Sequence, residues 1–89
     1  MKKFIALVKF DQSDQEAFNA TLPAEWENIT RLKNLGILEK VYIAEDGIRG
    51  YTVLRGETQE EVEKTLQGFP LYPFMQTELV SLMPVLPTD

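Results

Sequence analysis

Neither histidine nor cysteine occurs among the 89 residues. The first absence removes the usual general base near neutral pH and a common metal ligand, so Ser-His-Asp triads and His-based zinc centres are excluded. The second removes disulfides, thiol nucleophiles and thiolate metal sites, and agrees weakly with a reducing compartment. Long hydrophobic runs are missing too. Nothing approaches the roughly 20 apolar residues of a membrane-spanning helix, and Met1-Lys2-Lys3 followed by Phe4 to Val8 is too short for a signal sequence and reads as a first strand. A cytoplasmic location without a membrane partner is expected. Positive charge is outnumbered, with 9 Lys and Arg against 14 Asp and Glu for a net charge of −5, which argues against nucleic acid as partner. The five glycines form no phosphate-binding loop, and no metal or cofactor is expected.

What remains is an ordinary globular composition, 44% hydrophobic and 26% charged, read as a single domain over 1–89 with a loose tail at 84–89. A domain of this size has limited room for a deep interior, so association would add useful burial. Lys3 to Phe10 is apolar on both alternating faces, Phe4, Ala6, Val8 and Phe10 on one and Ile5 and Leu7 on the other, as in an interior strand. Ser13 and Glu16 have capping-box spacing and predict a helix starting near Asp14. Pro23, with Thr21 as a second cap, predicts either a restart or a kink before the amphipathic piece Ala24 to Leu35, whose inward stripe reads Trp26, Ile29, Leu32 and which Gly36 closes. Leu38 to Ala44 and Ile48 to Leu54 flank Asp46-Gly47, a tight-turn signal, and predict a hairpin. Thr58 with Glu61 repeats the capping box before a short helix carrying Val62, Leu66 and Phe69 and ended by Gly68. Met75 to Met83 alternates as a last strand.

This order is a ferredoxin-like β-α-β-β-α-β sandwich, an α+β fold with a four-stranded antiparallel sheet and two helices on one face. The second sheet face would then be bare and apolar, and pairing with another copy across a two-fold axis would cover it. The stretch Phe69-Pro70-Leu71-Tyr72-Pro73-Phe74-Met75 is the most apolar of the chain. Its prolines predict an extended connector, packed along the rim of such a dimer.

Pro70-Leu71-Tyr72-Pro73-Phe74-Met75, followed by Glu78-Leu79, resembles the proline segment of the muconolactone isomerases. Glu25, Glu27, Arg31-Leu32 and Gly36 match the spacing of that family's first helix, and Tyr51-Thr52-Val53 its third strand. The resemblance spans about Pro23 to Pro84. It implies a dimeric α/β barrel, a homodimer often assembled further into rings, and a cavity beside the sheet where an unsaturated lactone undergoes a proton shift. The family's histidine in the hairpin region has no counterpart, since the chain reads Glu45-Asp46-Gly47-Ile48-Arg49 there.

A proton shift between carbons needs a base near the acidified C–H and a donor for the developing enolate oxygen. Glu27 is the expected base, because it matches the family and because desolvation would raise its basicity; an ordinary solvated helix glutamate, paired with Arg31, is the competing reading. Glu25 points about 200° away from Glu27 on an ideal helix, so the two are not expected in one pocket. Tyr51 is the expected catalytic donor. Arg49, Tyr42 and Glu78 are expected to bind substrate, against the plainer readings of sheet-forming tyrosines and a strand charge that discourages aggregation. The function these residues imply is a small cofactor-free isomerase acting on a lactone or unsaturated acid. The alternative is a non-catalytic dimeric barrel that binds a small apolar ligand or serves as an assembly unit.

Overall fold

The two-sided apolarity of the first strand places it inside the sheet. In the computed structural model, which describes residues 2–83, the order is β1 (Lys2–Phe10), α1 (Gln15–Asn34), β2 (Leu38–Ile43), β3 (Arg49–Gly56), α2 (Gln59–Gln67) and β4 (Met75–Leu82). The strands form one antiparallel sheet ordered β2-β3-β1-β4, with β1 bonded on both edges. This is the ferredoxin-like sandwich expected. The tail 84–89 lies outside the described residues.

Period-two alternation sorts the strand side chains. Phe4, Ala6 and Val8 of β1 and Leu54 of β3 are buried with Leu32 of α1 and Val62 of α2, forming the core between sheet and helices. Ile5, Leu7, Tyr51 and Val53 turn to the other face and are only half-buried. Gly56 at the end of β3 sets how closely α2 can approach: a Cβ there would lie 2.5 Å from Val62 Cγ2.

Local expectations are corrected at four points. The N-cap of α1 is Asp14, which accepts from Ala17 N–H, so the Ser13–Glu16 box is displaced by one position. Pro23 does not restart the helix. It sits inside one continuous α1, and the Thr21 hydroxyl donates back to the Ala17 carbonyl instead of capping a new start. At the other end the expectation holds: Gly36 takes φ +77, and Ile37 N–H reaches back to the Leu32 carbonyl, closing the helix in a Schellman turn. Of the inward stripe, Leu32 is buried and Ile29 packs against the core as expected, while Trp26 is 55% exposed.

The last correction concerns the proline segment, which is wound rather than extended. Tyr72 N–H donates to the Phe69 carbonyl and Phe74 N–H to the Leu71 carbonyl, with a 3-10 turn over Tyr72–Phe74. Leu71 takes φ −82 and ψ −1, the third position of a type I turn, so Pro70 occupies the second, where its fixed φ is favourable. Proline disfavours helical backbone at the residue before it, here Tyr72. Tertiary burial outweighs that preference, since winding drops Phe69 and Leu71 into the interior, each 3% exposed. The apolar segment is thus covered by its own chain. Phe18 of α1 stacks edge-on against both Phe10 of β1 and Phe74, at 5.7 and 5.6 Å between ring centroids, and ties the connector to the sheet.

Candidate active site

The winding of the connector closes a cavity of about 160 Å³ between α1, the helix-facing side of the sheet and Leu71. Phe10, Phe18, Leu22, Ile29, Val41 and Met75 supply most of its apolar wall. Gln12 and Gly47 are also on the lining, where the Gln12 side-chain amide donates to the Gly47 carbonyl at 3.0 Å and joins two loops. Gly47 takes φ +72 to make the β2–β3 turn. Gly50 keeps the wall open, because a Cβ there would come within 3.2 Å of the Phe10 ring and 3.3 Å of Ile43.

One carboxylate faces this space. Glu25 is 4% exposed, and its Oε1 accepts a hydrogen bond from Leu71 N–H at 3.1 Å. Burial raises its pKa from the ordinary carboxylate value, with the Leu71 N–H pulling the other way. One oxygen is thus anchored, while the other makes no hydrogen bond among the described residues. Thr52, also buried, and Gln12 are further polar side chains on the lining. The arrangement gives a fixed base of raised basicity in an apolar chamber, with a hydroxyl and an amide as hydrogen-bonding groups.

The residues expected from sequence fall elsewhere. Glu27 is exposed on the outer side of α1, in an open depression with Trp26 and Arg31, and Arg31 donates to Asn28 Oδ1. It does not share a cavity with Tyr51. Tyr42, Tyr51 and Glu78 do come together, since Tyr42 pairs with Tyr51, Tyr51 with Leu7 and Leu7 with Glu78, a row across the open face of the sheet. Arg49 joins Tyr51 and Glu78 around a shallow, solvent-open groove on that face. Its guanidinium is already engaged, with Nε and Nη2 both donating to Asp46 Oδ2. The Asp46 carboxyl is held below its usual range by the Ile48 N–H and by Arg49. The third strand therefore presents Tyr51 and Arg49 to one side of the sheet and Thr52 and Gly50 to the cavity on the other.

Sequence reasoning weighed Glu25 and set it behind Glu27, and it did not single out Gln12 or Thr52 as site residues. A signal for Glu25 was available: Phe18, Leu22, Glu25, Ile29 and Leu32 repeat at alternating steps of four and three, which is one helical stripe with a carboxylate at its centre. Gln12 and Thr52 carried none, since a loop glutamine and a strand threonine are ordinary.

A four-stranded sheet under two helices, with an apolar chamber lined by a buried carboxylate, defines a small α+β sandwich. The chain belongs to the muconolactone delta-isomerase family, whose model matches residues 6–85. Its fold is similar to that of a crystal structure of muconolactone isomerase, with a TM-score of 0.80 at 20% identity over 97% of this chain and 93% of that one. It is likewise similar to 5-chloro-2-hydroxyhydroquinone dehydrochlorinase from Burkholderia phenoliruptrix AC1100, solved in complex with 2,5-dihydroxybenzoquinone, with a TM-score of 0.77 at 12% identity over 98% and 99% of the two chains. No curated protein matches by sequence.

Proposed function

We propose that the chain is a small isomerase that shifts a proton on a compact unsaturated lactone or related carbonyl compound, with Glu25 as the base. The observation that carries this reading is the buried Glu25 carboxylate, anchored by Leu71 N–H on the wall of the cavity. Family membership supports the reaction class. In the reaction, the carboxylate removes a proton from the carbon acidified by the carbonyl, and the bonding pair moves into the conjugated system as an enolate. Thr52 or Gln12 donates a hydrogen bond to the enolate oxygen. The protonated Glu25 then returns the proton to the other end of the system, so the double bond moves and no atom is lost.

Tyr51, Arg49, Tyr42 and Glu78 belong in this reading to the open sheet face, where a second copy would cover Ile5, Leu7 and Val53. Solvent-deuterium incorporation into a candidate unsaturated lactone tests the assignment. Glu25→Gln should reduce exchange by roughly a hundredfold or more, the usual effect of losing a general base. Glu27→Gln should leave exchange unchanged. If Glu27→Gln abolishes exchange and Glu25→Gln does not, the base is Glu27. If the parent protein binds the lactone without exchanging it, the non-catalytic binding reading replaces this one.

A further inference from the structure

We infer that the Pro70-Leu71 turn is the positioning element of the base: Leu71 N–H holds one oxygen of Glu25, so that the other alone is presented to a ligand. The inference deepens the isomerase reading and rests on Glu25 being the base.

A glutamate side chain turns about several single bonds and gives up that freedom only where something holds its end. The α1 backbone fixes where Glu25 starts, and Leu71 N–H, 3.1 Å from Oε1, fixes where it ends. Leu71 is 3% exposed, so its N–H is shielded from water as a competing partner. The second oxygen makes no hydrogen bond among the described residues, on a side chain that lines the cavity.

The donor is itself held from both sides. Behind it, Gly68 N–H donates to the Thr65 carbonyl and Phe69 N–H to the Leu66 carbonyl, each at 3.1 Å, so the turn continues directly from the end of α2. Ahead of it, Asp11 N–H donates to the Phe74 carbonyl at 2.7 Å and secures the turn to the residue after β1. Phe18, about two helical turns before Glu25 on the same stripe of α1, packs edge-on against the Phe74 ring. Helix and turn are thus joined at two points, Phe18 with Phe74 and Glu25 with Leu71. Pro70 adds its fixed φ, which narrows the conformations open to the turn. A donor placed in advance needs no reorganisation when the proton moves.

The donor's chemistry also suits a base. A lysine or arginine in its place would stabilise the carboxylate strongly and lower its basicity, whereas a neutral N–H orients it with a smaller loss. Among the described residues, no lysine or arginine is on the lining.

An amide-to-ester replacement at Leu71 in the full chain tests this, because it exchanges the N–H for an oxygen and keeps every side chain. The control is the same replacement at Val62 of α2, whose N–H donates to the Thr58 carbonyl away from the cavity. Both esters should lose stability. Only the Leu71 ester should move the titration of Glu25, followed by NMR of its labelled carboxyl carbon, to higher pH, because only it removes a hydrogen bond to the charged form. With 5-methyl-2(5H)-furanone as the probe, deuterium exchange at saturation should fall roughly tenfold or more in the Leu71 ester. The half-saturating concentration should stay within about threefold of the parent's, as for a group that acts on the reacting state.

A Leu71 ester in which Glu25 titrates as in the parent overturns the inference, and so do two esters that lower exchange alike, which would make the loss one of stability. A displaced titration with undiminished exchange also overturns it, since the bond would then tune the carboxylate without placing it for reaction. If the titration moves as expected while the parent exchanges neither this lactone nor any other, the isomerase reading falls and the held carboxylate remains.

Discussion

Truncating Glu25 should reveal how much of the connector hangs on one carboxylate. Leu71 is 3% exposed, and its N–H has the Glu25 oxygen as acceptor. Glu25→Gln keeps a carbonyl oxygen at the same reach, whereas Glu25→Ala leaves the buried N–H unpaired, a loss of about 1–3 kcal/mol. Alanine also removes one buried methylene, worth about 0.8 kcal/mol. The alanine variant should therefore be about 2–4 kcal/mol less stable than the glutamine variant, a difference of roughly 10 °C or more in melting temperature for a domain of this size. Urea unfolding of both variants at pH 7, followed by Trp26 fluorescence, measures it. The same pair reports the charge. Burial raises the folded-state pKa of Glu25 above the unfolded value near 4.5, so the folded state holds its proton more tightly. The stability this gives is full below that unfolded value and is lost as pH rises through the raised folded pKa. The parent should show this decline, and Glu25→Gln, which has no proton to lose, should lack it and equal or exceed the parent at pH 7. Equal stability of the Ala and Gln variants would refute the anchoring role, and an unchanged pH profile in Glu25→Gln would refute the buried charge.

Three further outcomes follow from the packing. Replacing Pro70 and Pro73 together by alanine should cost about 1–2 kcal/mol by freeing the unfolded chain, read from urea midpoints with an unchanged slope. Gly56→Ala should cost about 1–3 kcal/mol, because its Cβ would sit 2.5 Å from Val62 Cγ2 and α2 must lift away; melting by circular dichroism reports it. Light scattering at low micromolar concentration should give a dimer for the parent and a folded monomer for Leu7→Arg, which puts charge at the centre of the open face. A well-folded parent monomer would count against the sheet-face assembly.

The fold was legible in β1, α2 and the hairpin, less so in α1, whose cap is Asp14 and whose Pro23 lies inside one continuous helix. β1 reads as interior from its two-sided apolarity, α2 from its Thr58 cap and Val62–Leu66 spacing, and the hairpin from Asp46-Gly47 between alternating strands. The connector was misread for a reason that lies outside local sequence. Prolines state what the backbone of Phe69 to Phe74 prefers, but burial of Phe69 and Leu71 and the acceptor on Glu25 decide what it does. Local preference of order 1 kcal/mol loses to two fully buried side chains at about 1.5–3 kcal/mol each.

The candidate site turns on a single helical step. Glu25 and Glu27 line different depressions, as two residues about 200° apart on a helix must. The stripe Trp26, Ile29 and Leu32 is centred about 40° from Glu25 and about 160° from Glu27 at about 100° per residue, so it already favours Glu25 as the inward carboxylate, and preferring Glu27 set the family match above that phase. A large aromatic side chain is weak evidence for burial, since many apolar residues remain on protein surfaces. The five-residue stripe from Phe18 to Leu32 is stronger evidence because its members constrain one another. With the phase set by that stripe, Glu25 is a carboxylate in an apolar seam, costly to stability unless paired. Among the described residues, its hydrogen-bond partner is the Leu71 N–H, in the segment that lines the cavity. The proposed role of Glu25 as base rests on this arrangement, with one oxygen held by Leu71 N–H and the other making no hydrogen bond among the described residues.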